Sequence, residues 1–200
     1  MTNRAEQREA TRERIVDAAL AAFAERGFRG ASTRDIARRA GTNQGLITYH
    51  FKSKDALWRA AADRVFGLLQ KSLGEHLDSL ELSDPRERAR ETIRAYVRFV
   101  AAHPELFRLM VDEGKNSDAR MKWLVDTHLR PALERFVQPG DERLIGRDEA
   151  LLPHVYYVMA GAGSLIFAVA PECRRLTGLD PQTDEAIETH ADFVARLLVP

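Results

Sequence analysis

Cysteine is nearly missing from this chain: Cys173 is the one thiol in 200 residues. It can form no intramolecular disulfide and no cysteine-built metal site, which fits a reducing cytosol. Long apolar runs are scarce too. The longest, residues 155–170, is interrupted by Gly161, Gly163 and Ser164 and stops at Pro171. A membrane span needs about 20 apolar residues, so this run is expected to be a buried helix and no membrane partner is expected. Charged and polar residues follow Met1 where a secretory signal would place an apolar stretch. Only 8 prolines and 12 glycines punctuate the chain, mostly between periodic segments. Runs of alternating β-branched residues, repeats and low-complexity tracts are absent.

Net charge is also lacking, because 30 basic residues balance 30 acidic ones. That balance hides an asymmetry. Residues 1–54 carry 11 Lys/Arg against 6 Asp/Glu, and residues 55–200 carry 19 against 24. A basic head on an acidic body points to a polyanionic partner for the head alone. With 44% apolar residues the chain has material for a core, and 200 residues allow one large or two small domains.

What is present is helical periodicity almost throughout. About nine helices are expected. The first covers residues 11–26, with Ile15, Ala19, Ala22 and Phe23 in one stripe and Gly27 as its stop. Ser32 to Asp35 reads as a capping box that opens a short helix closed by Gly41. Another short helix spans residues 44–50, with Asn43 as its cap. A long helix begins at Ser53 or Lys54 and keeps its apolar spacing to Leu80. Asp84, Pro85 and Glu87 start the next. Pro104 opens a short helix that ends near Gly114. Residues 116–137 follow, kinked at Pro131, and then a turn at Pro139-Gly140. A long apolar helix over residues 148–170, a loop over 171–183 and a last helix over 184–198 complete the chain.

Residues 32–51 have the layout of a helix-turn-helix. That motif needs a first helix lying across the nucleic-acid backbone, a tight turn, and a second helix with polar side chains near its N-terminus. Gly41 permits the turn. Asn43, Gln44 and Thr48 are expected outward, with Leu46 and Ile47 anchoring the helix inward.

The stretch STRDIARRAG (residues 32–41), GLITYHF (45–51), KSKDAL (52–57) and the preceding FAERGF (23–28) resembles the DNA-binding region of the TetR family of transcriptional regulators. The resemblance covers about a quarter of the chain; the rest is similar only in style. It implies an all-α protein: a three-helix head of residues 1–54, joined through a long helix to a ligand-binding and dimerisation body of residues 55–200. It further implies phosphate contacts by Thr33, Tyr49, His50 and Lys54, and base contacts by Arg34, Asn43 and Gln44. The family usually carries Tyr where this chain has Thr48, whose hydroxyl and methyl can still meet a phosphate or a thymine. Arg4, Arg8, Arg12 and Arg14 form either a solvated face or an arm that adds DNA contacts; Arg39 reads as solvated.

Rival classes are an enzyme and a helical adaptor. The six histidines are widely spaced and form no metal-binding pair, so neither a metal nor a catalytic residue is identified. Glu188 and Asp192 share a helical face from which His190 points away. Gly161-Ala162-Gly163 lies in a helix and reads as a packing site, not a phosphate loop. No cofactor is expected.

By the resemblance, the partners are a double-stranded operator, a small-molecule inducer and a second copy of the chain, in the cytoplasm. Pockets between bundle helices are lined by apolar and aromatic groups. The candidates are Phe66, Leu69, Tyr96, Phe99, Phe107, Met110, Trp123, His128, Tyr156 and Met159, which suggests a partly apolar inducer. His128 can equally be a hydrogen-bonded core histidine. The last two helices are the expected dimer interface, with close approach at residues 161–164 and Val194 and Leu197 on the apolar stripe.

Overall fold

The computed structural model describes residues 4–136 and 149–200. Helix is the only regular structure among them, in eleven α-helical segments. The expected turn at Pro139-Gly140, the end of a helix at Val137 and the start of another at Asp148 lie outside the described residues. Among the described residues no single helix is long and apolar enough to cross a membrane.

The chain divides into two compact units. One comprises residues 1–67 and 108–124, the other residues 68–107 and 125–200. In the first, α1 runs over Arg4–Gly30 and breaks at Gly27, whose φ of 67° and ψ of 173° are denied to side chains with a Cβ. A Cβ there would also collide with the Asp112 carboxylate. Ile15, Ala19, Ala22 and Phe23 are buried as the periodicity requires. Helix α2 (Thr33–Arg39) and α3 (Gln44–Phe51) follow, with Gly41 at φ 62° in the turn between them. The core of this unit is completed by Ile36, Ile47 and Phe51, and by Leu57, Trp58, Ala61 and Val65 of α4 (Lys54–Asp78). Leu46 is 37% exposed, so Ile47 and Phe51 are the fully buried anchors of α3.

In the second unit α5 (Pro85–Ala102) is the hub. Asp84 caps it by accepting from the Arg86 N–H, with Pro85 in the first turn. Its buried face (Ile93, Tyr96, Val97, Val100) meets α9 (Leu152–Ala168) and α11 (Asp184–Leu198). Gly163 sits against the Tyr96 ring, where a Cβ would come within 3.0 Å. Beside it the Tyr96 hydroxyl and Ser164 Oγ share a buried 2.8 Å hydrogen bond. The small residues 163 and 164 therefore serve packing within the chain. Glu188 and Asp192 share one face and take Arg98 and Arg94 of α5 at 2.7 and 2.8 Å. His190 turns the other way, its Nε2 paired with the Ala162 carbonyl at 2.8 Å.

Three expectations need correcting. Residues 170–177 form a helix, α10 (Ala170–Thr177), inside the expected loop. Pro171 occupies its first turn, where the missing N–H costs nothing, and Gly178 closes it in the left-handed region. Cys173 is thus a buried helix residue. Helix α6 (Glu105–Glu113) is followed by α7 (Ala119–Leu124), a wide five-residue π turn over Val125–Leu129, and α8 (Arg130–Phe136). The widened turn comes immediately before Pro131, which has no N–H to donate to the preceding turn. These two features raise the number of segments from nine to eleven. Finally, Val194 is 0% exposed within its own chain, while Leu197 is 57% exposed. The apolar stripe of α11 is thus divided between an internal face and an outer one.

Candidate nucleic-acid interface

The helix-turn-helix is built by local hydrogen bonds that the sequence dictates. Ser32 Oγ accepts from the Asp35 N–H at 3.0 Å, and Asn43 Oδ1 accepts from the Leu46 N–H at 3.0 Å. Each cap satisfies one orphan donor of its helix. Asp35 does not complete the expected capping box. Its carboxylate is taken by Arg26, Arg38 and Arg39 instead. Arg39 also grips Glu25 of α1 at 2.7 Å, so this residue, exposed as expected, ties two helices together at the surface. The Asp35 carboxyl is held below its ordinary pKa, first by the hydrogen bond from Arg38.

The turn brings the two helix N-termini together. Gln44 Nε2 donates to Thr33 Oγ1 at 3.1 Å, so two of the expected contact residues touch each other. Arg34, Asn43 and Thr48 are exposed on the same motif. Thr48 Oγ1 donates back to the Gln44 carbonyl at 3.3 Å. Tyr49 is 63% exposed, a high value for an aromatic ring. His50 is half-buried, edge-on to Tyr49 with centroids 5.2 Å apart. Burial lowers its pKa, Arg8 and Arg12 lower it further, and Glu9 opposes them.

Lys54 stands at the start of α4 with Nζ 4.8 Å above the Phe28 ring. Its pKa is lowered by burial and then by Arg120. Arg120 covers the same ring at 3.8 Å and lies 5.9 Å from the centroid of Trp58. Its Nη2 is 3.2 Å from Glu113, a carboxylate only 1% exposed. Burial raises the pKa of Glu113 despite the neighbouring guanidinium. The sequence reading missed this group because it joins α1, α4, α6 and α7, which are remote along the chain. It missed equally that Arg8 stacks on Tyr49 and Arg12 on Phe51, at 5.5 and 5.4 Å. The four-residue spacing of those arginines was the available signal.

The residues expected around a small molecule are divided between the units. Phe66 and Trp123 belong to the first, where Trp123 packs edge-on to Trp58 at 5.9 Å with Arg59 4.9 Å above its ring. Tyr96, Phe99, Phe107, His128, Tyr156 and Met159 belong to the second. There Tyr96, Phe99, His128 and Met159 are buried, and Phe107 and Tyr156 are half-buried. No group of three or more metal-ligating side chains occurs among the described residues.

Comparison with known proteins agrees with this geometry. Residues 15–61 match the family model described as bacterial regulatory proteins, tetR family. The HTH-type transcriptional repressor NicS of Pseudomonas putida is 25% identical over 164 residues, 78% of this chain and 76% of its own. The HTH-type transcriptional regulator BetI of Yersinia pestis is 35% identical over 138 residues, 66% of this chain. The chain thus spans 62% of the length of that relative. A TetR-like transcriptional regulator from a Rhodococcus species has the same fold, with a TM-score of 0.67 at 22% identity over 99% of this chain and 96% of that one.

Proposed function

The chain belongs to the TetR family of bacterial regulatory proteins, and from that premise we propose that it is a ligand-responsive repressor that binds a double-stranded operator as a homodimer. The observation that carries this reading is the exposed N-terminal face of α3. There Asn43, Gln44 and Thr48 present hydrogen-bonding groups, and Thr33, Tyr49, His50 and Lys54 surround them. An α-helix of that character fits the major groove, where base edges are read, while flanking hydroxyls and cations meet phosphates. In this proposal residues 1–54 bind DNA, residues 55–200 hold the ligand and the dimer contact, and the protein works in the cytoplasm.

The dimer is supported by an apolar face on α9 and α11. Tyr157 is 74% exposed, and Val158, Leu165, Phe193 and Leu197 are exposed as well. Two such helices from each copy make a self-complementary four-helix contact. A partly apolar inducer among Tyr96, Phe99, Phe107, His128, Tyr156 and Met159 lowers operator affinity by favouring a dimer whose heads no longer match successive grooves. The helix that carries this effect is α4, which has residues in both units. A coupling of about 1–3 kcal/mol would weaken operator binding roughly 5–150-fold, and operator would weaken inducer binding by the same factor.

The test is selection of duplex sequences from a random library by the purified protein, followed by titration of the enriched site. A symmetric site bound by two chains is expected. Enrichment of no sequence would defeat the proposal.

A further inference from the structure

The first turns of α1 carry a charge pattern that the proposed function leaves unused. Arg4, Arg8 and Arg12 recur at every fourth residue, and at 3.6 residues per turn they occupy an arc of about 80°. Glu6, Glu9 and Glu13 of the same stretch lie about 140–200° round from Arg4 on the same geometry. The helix therefore sorts these charges into a basic face and an acidic one, with Arg14 apart from both, about 120° round from Arg8, although its net charge there is nearly zero.

The basic face is the one beside α3. Arg8 stacks on the exposed ring of Tyr49 at 5.5 Å, and Arg12 on the ring of Phe51 at 5.4 Å. Arg12 is also tied to Glu9 at 3.4 Å. Arg4 and Arg8 have no carboxylate partner among the described residues and are exposed. Stacking on a ring leaves the in-plane N–H donors of a guanidinium free, and those donors match phosphate oxygens in a bidentate fork. Both arginines already stand on a formed helix that starts at Arg4, so no disordered arm has to be ordered on binding.

We propose that Arg4 and Arg8 grip the sugar–phosphate backbone of duplex DNA alongside α3, extending the nucleic-acid interface from the helix-turn-helix onto α1. This rests on the reading of α3 as the helix that enters the groove. The partner is the duplex backbone because the face is cationic and lies on α1, beside the α3 ring of Tyr49 and not on the helix that enters the groove.

The experiment measures affinity for a random-sequence duplex as a function of salt, by fluorescence anisotropy on the full chain. Each lost phosphate contact lowers the slope of log K against log salt by about 0.9. Arg8→Gln is expected to lower it by about that amount, Arg4→Gln/Arg8→Gln by about twice as much, and Arg8→Lys to restore most of it. Arg14→Gln removes the same charge from a different face and is expected to leave the slope at the wild-type value. Helical circular dichroism of each variant confirms that α1 is intact. Wild type that binds no duplex at low salt overturns the reading of α3 and this inference with it. Wild type that binds, with an unchanged slope in Arg4→Gln/Arg8→Gln, overturns this inference alone. So does an equal fall in Arg14→Gln, since net charge and not the α3-side face would then be responsible.

Discussion

The two units hold their cations in different ways. In the first, Arg8, Arg12, Lys54, Arg59 and Arg120 lie over aromatic rings, and among the described residues every ring-stacked cation is in that unit. In the second, Arg94 and Arg98 are enclosed by Glu87, Glu91, Glu188 and Asp192, and His76 joins the same cluster through Glu91 at 2.7 Å. The difference has consequences. A guanidinium surrounded by carboxylates is neutralised and serves as a clamp between helices. Arg12, Arg59 and Arg120 also reach Glu9, Asp55 and Glu113, but Arg8 and Lys54 are held on their rings with no carboxylate against them among the described residues, available to an anion from outside. The ion pairs of Arg26, Arg38 and Arg39 on Asp35 and Glu25 show that the first unit uses clamps too.

The outer surfaces differ correspondingly: α3 shows polar groups, while α9 and α11 show apolar ones. The sharpest break in that comparison comes from two neighbouring changes on α11. Val194→Glu places a charge inside the chain and is expected to unfold the second unit, lowering stability by at least about 3 kcal/mol. Leu197→Glu places the charge outside and leaves the melting temperature of the monomer almost unchanged. It is expected to raise the dimer dissociation constant at least a hundredfold, about 2.7 kcal/mol. Calorimetry and sedimentation equilibrium separate the two outcomes. Equal behaviour of the variants would remove the distinction between the inner and outer faces.

Next in size is Gly27→Ala, which forces a side chain into a glycine-only conformation and against Asp112. A cost of about 1–3 kcal/mol is expected, confined to the first unit and visible as earlier loss of its amide protection. Within the proposed interface, Gln44→Ala should cost about 1–3 kcal/mol of discrimination between operator and mutated sites. Lys54→Ala should weaken binding to all sequences alike, as removal of a phosphate contact does. Competition titrations with the two classes of duplex read both effects.

The smallest effect concerns Glu113. Its pKa is raised in the folded chain above the ordinary 4.5, so the folded state holds the proton more tightly than the unfolded one. The resulting stability is fully present below the unfolded value and is lost as pH rises through the folded one. Glu113→Gln is expected to flatten that segment of the stability profile, by about 1 kcal/mol or less. Urea titrations between about pH 4 and 8 measure it; a profile identical to that of wild type would show that burial does not control this carboxyl.

The sequence made the local features legible. Ser32 and Asn43 cap where their types and positions say they should, and Ile15, Ala19, Phe23, Ile36 and Ile47 are buried on the expected faces. These depend on residues within a few positions of one another. Features that required a partner distant in sequence were not legible. Asp35 has the right spacing for a capping box, but three arginines compete for it. The stripe of α11 is periodic, yet periodicity cannot say that Val194 is covered within the chain and Leu197 left outside. Pro171 reads as a terminator because it follows a long helix, though the same residue suits the first turn of the next one.

The pairing of Trp58 with Trp123 gives the chain an internal optical label. These are its two tryptophans, their indole rings are 5.9 Å apart, and both lie in the first unit. Three of the four tyrosines, Tyr96, Tyr156 and Tyr157, lie in the second. Light absorbed selectively by indole therefore interrogates one unit and passes over the other. With Arg59 4.9 Å above one of the rings, the emission is also sensitive to any shift of that guanidinium. Titrations followed at tryptophan wavelengths would thus record what happens in the unit that carries the helix-turn-helix, without any introduced dye.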